Sequence, residues 1–386
     1  MIPSVISGAL VLWEFLFWTA VAIPIYAYLG YPITLIALRH VLKRDVRKRD
    51  ITPRVSLLIP AFNEAATIER KIRNSLVLDY PPDLIEIVVA CDGSTDDTPQ
   101  LASCLANSCE AQGRVRVLTF PVNRGKTITL NAAARQLRGE IIVFSDASAI
   151  LNADAVRVLV RNFADQSVGS VSGKYTVIKA HEVSIGTSED FYWRYETFLK
   201  TQEAELSSTL GGHGHLHAIR AELYPFPPLG TINDDYIIHA SVIARGWRAV
   251  YEPEAVVREE AHEMAGFTRR VRIMAGNIQQ LREIGPLLRP VRPLPLFFFV
   301  CHKGLRLLVP FAMALGLIAN VFLLNEQIYR VILAGQIGFY VLVICGALIR
   351  LRPKFLMLPY YFSMINAAMF LGTYHAATGL RRMRWK

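Results

Sequence analysis

The stretch 85-IEIVVACDGSTDDT-98 decides the fold. Residues 85–91 form an apolar run rich in Ile and Val, and the run ends on Asp92-Gly93, which is turn chemistry. A helical pattern follows over 95–111. A short run without polar alternation reads as a strand buried on both faces. The same sequence of signals occurs three more times. The run 54-RVSLLIP-60 leads to a helical pattern at 64–78, 115-VRVLT-119 leads to one at 126–138, and 141-IIVFS-145 stops at Asp146. Strands alternating with helices predict a parallel sheet covered on both faces. Such sheets bind ligands at the C-terminal ends of their strands. Each run ends in polar groups there: Asn63-Glu64, Asp92, Asn123 with Lys126, and Asp146.

The rest of the chain is far more apolar. Of 386 residues, 52% are hydrophobic and the mean hydropathy is +0.30, too apolar for a water-soluble protein of this size. Residues 8–38 form one apolar stretch broken only by Glu14. Three more lie at 304–324, 328–349 and 355–378, each about as long as a helix needs to cross a hydrocarbon core. The N-terminal stretch lacks a basic n-region and a small-residue cleavage site, so it reads as a retained anchor rather than a signal peptide. The expected organisation is an anchor with its basic flank over 1–50, a water-facing domain over 51–290, and an interfacial and transmembrane region over 291–386.

The net charge is +10. In 39-RHVLKRDVRKRD-50 six basic residues face two acids, a surplus of four beside the first span. That places this end on the cytoplasmic side of an inner (plasma) membrane, and anionic headgroups rather than nucleic acid as what the charge meets. Basic clusters at Arg350, Arg352 and Lys354, and at Arg381, Arg382, Arg384 and Lys386, flank the last apolar segment. If 355–378 crosses fully, one cluster faces outward; Pro359 and Asn366 make a re-entrant or interfacial segment the other reading. Five cysteines without a CxxC pair point to reduced thiols.

The turn after the first strand, PAFNEAA, carries no glycine, and neither a GxGxxG nor a Walker A sequence is present. The strand ends offer acids instead, which suit ribose hydroxyls, a uracil imide and a divalent cation. PAFNEAATI, VVACDGSTDDT, NRGKTITLNAA and FSDASAIL, in this order and spacing, resemble membrane-bound family 2 glycosyltransferases of the GT-A fold, a Rossmann-like α/β domain here joined to transmembrane helices. The resemblance continues through GGHGHLHAIR, NDDYIIHASVIARGWRAVYEPEAVV and RRVRIMAGNIQQL, blocks of the branch that builds exopolysaccharides or glycolipids.

The resemblance implies an enzyme of the hexosyltransferase type, moving a sugar from a nucleotide-diphosphate donor, UDP-linked, to a membrane-associated acceptor. The acceptor would be a lipid-linked sugar, a lipid or a growing polysaccharide, with export partners possible for a polymer. A non-catalytic nucleotide-sugar-binding subunit is the alternative.

Residue by residue, Asp92 would hold the base of the donor; its bland reading is a turn. Glu64 would lie near the nucleoside, or simply serve as a first-turn helix acid. Lys126 would contact the donor. Asp146 occupies the first position of the family's DxD motif and would hold Mg²⁺ or Mn²⁺ on the diphosphate. Here the motif reads Asp146-Ala147-Ser148, and Ser148 is a poorer ligand, so Asp146 acts with the diphosphate alone or with His262 or another group.

In 231-TINDDYIIHASVIARGW-247 Asn233 is a good N-cap for a helix ending near Gly246. Asp234 and Asp235 align with the family's Glu-Asp pair. Asp235 would be the general base and Asp234 its support, giving one inverting displacement. His213, His215 and His217 alternate, which suggests a metal site, but the family block is a glycine-rich acceptor loop before a short strand. Trp193 and Tyr195 would stack on a sugar or pack toward the membrane. Arg269 and Arg272 match a (Q/R)xxRW motif that closes over the diphosphate; Ile273 replaces its tryptophan. A basic interfacial helix is the other reading.

Overall fold

The computed structural model describes residues 2–178, 185–260, 266–282, 292–349 and 354–378. Four strands stand where apolar runs predict them: β1 (Val55–Ala61), β2 (Ile85–Asp92), β3 (Val115–Phe120) and β4 (Ile141–Phe144). They pair in parallel in the order β3-β2-β1-β4. Every residue of β1 is buried, as a strand covered on both faces requires. One face carries α3 (Ile68–Leu76), α4 (Thr98–Ala106) and α6 (Ala155–Val160), over a core of Leu57, Ile59, Ile72 and Val89. The other carries α5 (Lys126–Ala134) and α8 (Asp234–Ala244), over Leu58, Val88, Leu130 and Ile238.

The sheet is not wholly parallel. It continues through β7 (His217–Arg220), β6 (Val168–Ile178), β8 (Arg248–Glu260) and β5 (Ile150–Leu151). β7 runs antiparallel to β4 and β6, and β5 antiparallel to β8. The all-parallel expectation is therefore corrected to a mixed eight-stranded sheet. These added strands lack unbroken apolar runs. β8 carries Pro253, which has no N–H for the ladder, and its register with β6 slips from Gly173 opposite Glu252 to Lys174 opposite Val256.

Among the described residues, three helices are long and apolar enough to cross a membrane: Gly8–Leu42, Pro293–Phe322 and Gln327–Leu348. The first comprises α1 (Ile2–Ile25) and α2 (Tyr31–Leu42) joined by a π turn at Tyr26–Gly30. The second comprises α10 (Pro293–Phe298) and α11 (Leu305–Phe322), also joined by a π turn; the third is α12 (Gln327–Leu348). α1 packs on α11 and α12 through Phe17, Ala319, Leu323 and Tyr329, with Trp13 stacked on Phe322 at 4.3 Å.

The fourth expected segment forms α13 (Leu358–Thr378). It lies along α9 (Gly266–Arg282), where Gly372 allows its backbone to meet Val271 and Met274. The flanking basic residues Arg350, Arg352 and Arg381 to Lys386, on which the crossing and re-entrant readings turn, lie outside the described residues.

α7 (Ile185–Leu206) joins the sheet to the membrane helices. Its Glu196, Lys200 and Glu203 recur at four- and three-residue spacing and share one face. That face is buried rather than solvated. Glu203 accepts from Tyr31 Oη at 2.7 Å and lies 2.6 Å from His302 Nδ1, while Glu196 pairs with Arg306 and faces His302 Nε2 at 3.3 Å.

Candidate active site

Two loops make the floor of the cleft at the strand ends. Asn63 adopts φ +55, a left-handed conformation that asparagine tolerates, and its Oδ1 accepts from Thr95 N at 2.9 Å. Gly93 has φ +64, and a Cβ there would lie 2.3 Å from the Asn123 backbone nitrogen, so only glycine lets the 122–125 loop lie across the turn. Asp92 is fully buried. Its two carboxylate oxygens accept the backbone N–H groups of Arg124 at 3.0 Å and Gly125 at 2.8 Å. This acid clamps the loop that delivers Lys126.

Glu64 sits in the turn before α3 rather than in its first helical turn, and its carboxylate accepts from Thr67 Oγ1 at 2.6 Å. Burial, and then the charges of Asp146 and Glu259, push its pKa up.

Lys126 opens α5 and reaches across the cleft. Its Nζ donates to Asp146 Oδ1 at 2.8 Å. Burial opposes its charge, yet Asp146 and then Asp234 raise its pKa above the ordinary lysine value. Burial likewise works against ionised Asp146, but Lys126 and His215 outweigh it and hold the carboxyl below its usual range.

Behind this turn Lys71 is fully buried with two neutral partners, Ser145 Oγ and Ala149 O, each at 2.6 Å. Burial lowers its pKa to about 7. Ser145 Oγ in turn donates to His215 O at 2.9 Å, which ties the Asp146 turn to the glycine-rich loop.

The three alternating histidines separate. His217 lies in β7 and stacks on Phe144 at 4.7 Å, so it belongs to the core. His213 is buried against Trp193 and Lys200. His215 alone enters the site, its Nε2 3.2 Å from Glu259 Oε2 and 3.8 Å from Asp146 Oδ2. Ser148 Oγ donates to Glu259 Oε1 at 2.7 Å and Tyr175 Oη to Oε2 at 2.9 Å. None of Glu259, Tyr175, Lys71 or Lys200 stands out in the sequence, and the only pointer toward them is the serine at 148.

Asp234 and Asp235 open α8 as expected. Asn233 holds the N-cap position but makes no side-chain cap, which corrects the capping expectation. Its amide donates instead to Ile273 O and Asn277 Oδ1, both at 3.2 Å, tying the helix start to α9. Asp234 is buried, and Asp235 is the more exposed of the two. Burial, and then Asp234, raise the Asp235 pKa, while Lys200 and Lys126 pull it down. A Cβ on Gly214 would lie 3.8 Å from Lys126 Nζ and 3.9 Å from Asp235 Oδ2. The bare glycine leaves that space open, so the Lys126 ammonium and the Asp235 carboxylate border one opening.

Tyr195 points away, its hydroxyl donating to Tyr28 O at 2.9 Å, whereas Trp193 packs edge-on to Tyr175 at 4.8 Å beside the site. Arg272 is half-buried on α9. The Arg269 side chain and all of His262 lie outside the described residues. Among the described residues no group of three or more His, Cys, Asp and Glu side chains is set to cage an ion. A hard cation shared with phosphate oxygens needs only one or two carboxylates, and Asp146 offers one, a quarter exposed, in the cleft.

Comparison with known proteins bears on this arrangement. Residues 56–225 match the family described as Glycosyl transferase family 2, and residues 141–373 match Glycosyl transferase family group 2. The chain is 34% identical over 131 residues to the probable glycosyltransferase YdaM of Bacillus subtilis, covering 33% of this chain and 31% of that one. It is 26% identical over 235 residues to poly-beta-1,6-N-acetyl-D-glucosamine synthase of Staphylococcus aureus, covering 59% of this chain and 55% of that one. The chain thus matches about a third to a half of these relatives' lengths. In fold it is similar to the mannosyltransferase PcManGT from Pyrobaculum calidifontis, solved with GDP-Man and Mn²⁺, with TM-score 0.72, 24% identity, and coverage of 95% of this chain and 100% of that one. The second match takes in well over half of the residues, and the chain belongs to the family 2 group of glycosyl transferases.

Proposed function

We propose that this protein is an inverting glycosyltransferase that moves a sugar from a nucleotide-diphosphate donor, UDP-linked, to an acceptor held at the membrane. The observation that carries the reading is the opening beside Gly214, where Lys126, paired with Asp146, and Asp235 meet. The relatives named above carry the names of enzymes that handle sugars, and open α/β sheets bind ligands beyond the C-terminal ends of their strands, which supports this reading.

In this reading Lys126 binds the diphosphate, Glu64 lies beside the nucleoside, and Asp92 acts through the loop it clamps. A divalent cation, Mg²⁺ or Mn²⁺, fits at Asp146 and would neutralise the departing nucleoside diphosphate. Asp235 takes the proton of the acceptor hydroxyl as that oxygen attacks the anomeric carbon. Asp234, buried beside it, supports the base by raising its basicity. Arg269 and Arg272, on α9, close over the diphosphate. Lipid-linked sugars, lipids and growing polysaccharides are the acceptors considered. The three apolar helices bring the acceptor from the bilayer, with the sheet on the cytoplasmic side and the basic 39–50 segment at the headgroups.

Asp235→Asn keeps size and polarity but removes the base. Transfer to acceptor should fall by roughly 10²–10⁴-fold while donor binding stays within twofold. Radiolabelled nucleotide sugars, Mg²⁺ or Mn²⁺ and membrane lipids supplied to the purified protein measure both. Turnover in this variant at the wild-type rate would remove Asp235 from the mechanism.

A further inference from the structure

We propose that Glu259 supplies the second carboxylate of the cation and diphosphate site, in the position left by the serine of Asp146-Ala147-Ser148. The proposal rests on the functional reading above and adds one residue to it.

Strand register brings Glu259 there. β5 follows the Asp146 turn directly and runs antiparallel to β8, with Ile150 opposite Arg258 and Leu151 opposite Val257. Continued backward by one residue, this register sets Ala149 against Glu259. The contact is made by side chains: Ser148 Oγ reaches Glu259 Oε1 at 2.7 Å. Where a longer acid at 148 would project into the cleft, a hydroxyl holds an acid that comes from β8.

The two carboxylates also share one space. A single atom, His215 Nε2, lies 3.2 Å from Glu259 Oε2 and 3.8 Å from Asp146 Oδ2. Both carboxylates thus line the pocket that His215 enters, on the side of the Asp146 turn where a cation shared with phosphate oxygens would sit. Glu259 is 8% exposed and Asp146 25%. One or two carboxylates with substrate phosphates is the usual way such an ion is held.

The competing role for Glu259 is purely structural, as the acceptor for the Ser148 and Tyr175 hydroxyls. A glutamine keeps the size, accepts one of these hydroxyls through its oxygen and can donate to the other through its NH₂, but carries no charge. Glu259→Gln therefore separates the roles. Mn²⁺ is titrated into the full-length protein in detergent, with UDP or GDP present in separate arms, and free Mn²⁺ is read by electron paramagnetic resonance. Nucleotide binding without metal and the melting temperature are followed alongside.

Wild type should bind Mn²⁺ in a nucleotide-dependent way. Glu259→Gln should weaken that at least tenfold with nucleotide binding in the absence of metal unchanged, and adding Ser148→Asp to it should restore most of the affinity. Wild-type Mn²⁺ affinity in Glu259→Gln would overturn the proposal while leaving the enzyme reading intact. If Glu259→Gln melts early, the double variant decides: recovered Mn²⁺ binding supports the ligand role, and unrecovered binding overturns it. A wild-type protein that binds neither nucleotide overturns the functional reading itself.

Discussion

The strands β1–β4 and the segment running from α7 to α8 are joined to their surroundings by different forces. Around β1–β4 the core contacts are apolar, and the ion pair that joins α3 to the segment after α4 lies at the surface: Arg73 and Glu110 are 53% and 54% exposed. Around α7 the ion pairs are the interior. Glu196 and Arg306 are 4% and 9% exposed, and Glu203 and His302 1% and 2%. The difference follows from what each region meets. β1–β4 bury helix faces made by their own neighbouring sequence. α7 meets helices apolar enough to sit in lipid, where directional polar contacts fix one docking geometry out of many equally greasy ones.

The sharpest way to break the contrast is to remove one partner on each side. Burial pushes the Glu196 pKa up, but Arg306 and His302 overrule it and hold the carboxylate well below its usual range. Glu196→Gln leaves the Arg306 guanidinium buried without its counter-charge and should cost about 3–5 kcal/mol. Glu110→Gln, at the exposed pair, should change stability by less than about 1 kcal/mol. Melting curves in one detergent measure both. Equal losses would mean that the two regions are not held differently.

Lys71 is the exception inside the apolar half, and it sits at the seam. Its pKa of about 7 lies below the value of an unfolded chain, about 10.4. Between those values the unfolded state binds a proton that the folded state lacks, so stability rises with pH across about pH 7 to 10. The slope reaches at most about 1.4 kcal/mol per pH unit. Lys71→Met should flatten this slope and leave Ala149 O without its donor. A melting series from pH 7 to 10 compares the two proteins.

The same contrast explains what was legible in the sequence. β1 to β4 fall within a residue or two of the runs 54–60, 85–91, 115–119 and 141–145, because burial on both faces writes itself into consecutive residues. The acids at their ends were legible for the same reason. β6 and β8 were not, since β8 mixes Pro253 and six acids and arginines with its apolar residues. α7 was legible only as an aromatic patch; its charged stripe reads as a solvated face until His302 and Arg306, about a hundred residues away, are placed against it. Asn233 failed as a side-chain cap for a tertiary reason, because α9 competes for its amide. Glu259 was hidden by distance, 111 residues from the serine it contacts.

The finest test concerns how the two regions meet at the base. Asp235 feels burial and Asp234 from its own helix start, which raise its pKa, and Lys200 from α7 and Lys126 from α5, which lower it. A base works only when ionised, so transfer should fall as pH drops through this raised pKa, at a higher pH than for an ordinary aspartate. Removing the like charge with Asp234→Asn should move the acid limb of kcat to lower pH. Removing a cation with Lys200→Met should move it to higher pH. Lys200 is itself brought down to about pH 8 by burial and by Lys303, so its pull on Asp235 fades above that value, where Asp235 is already ionised. Only the acid limb should therefore respond to Lys200→Met through Asp235. Opposite shifts in the two variants would place Asp235 between a charge from its own helix and a charge from the membrane-facing one. Shifts in the same direction would mean that the two charges act on some other group.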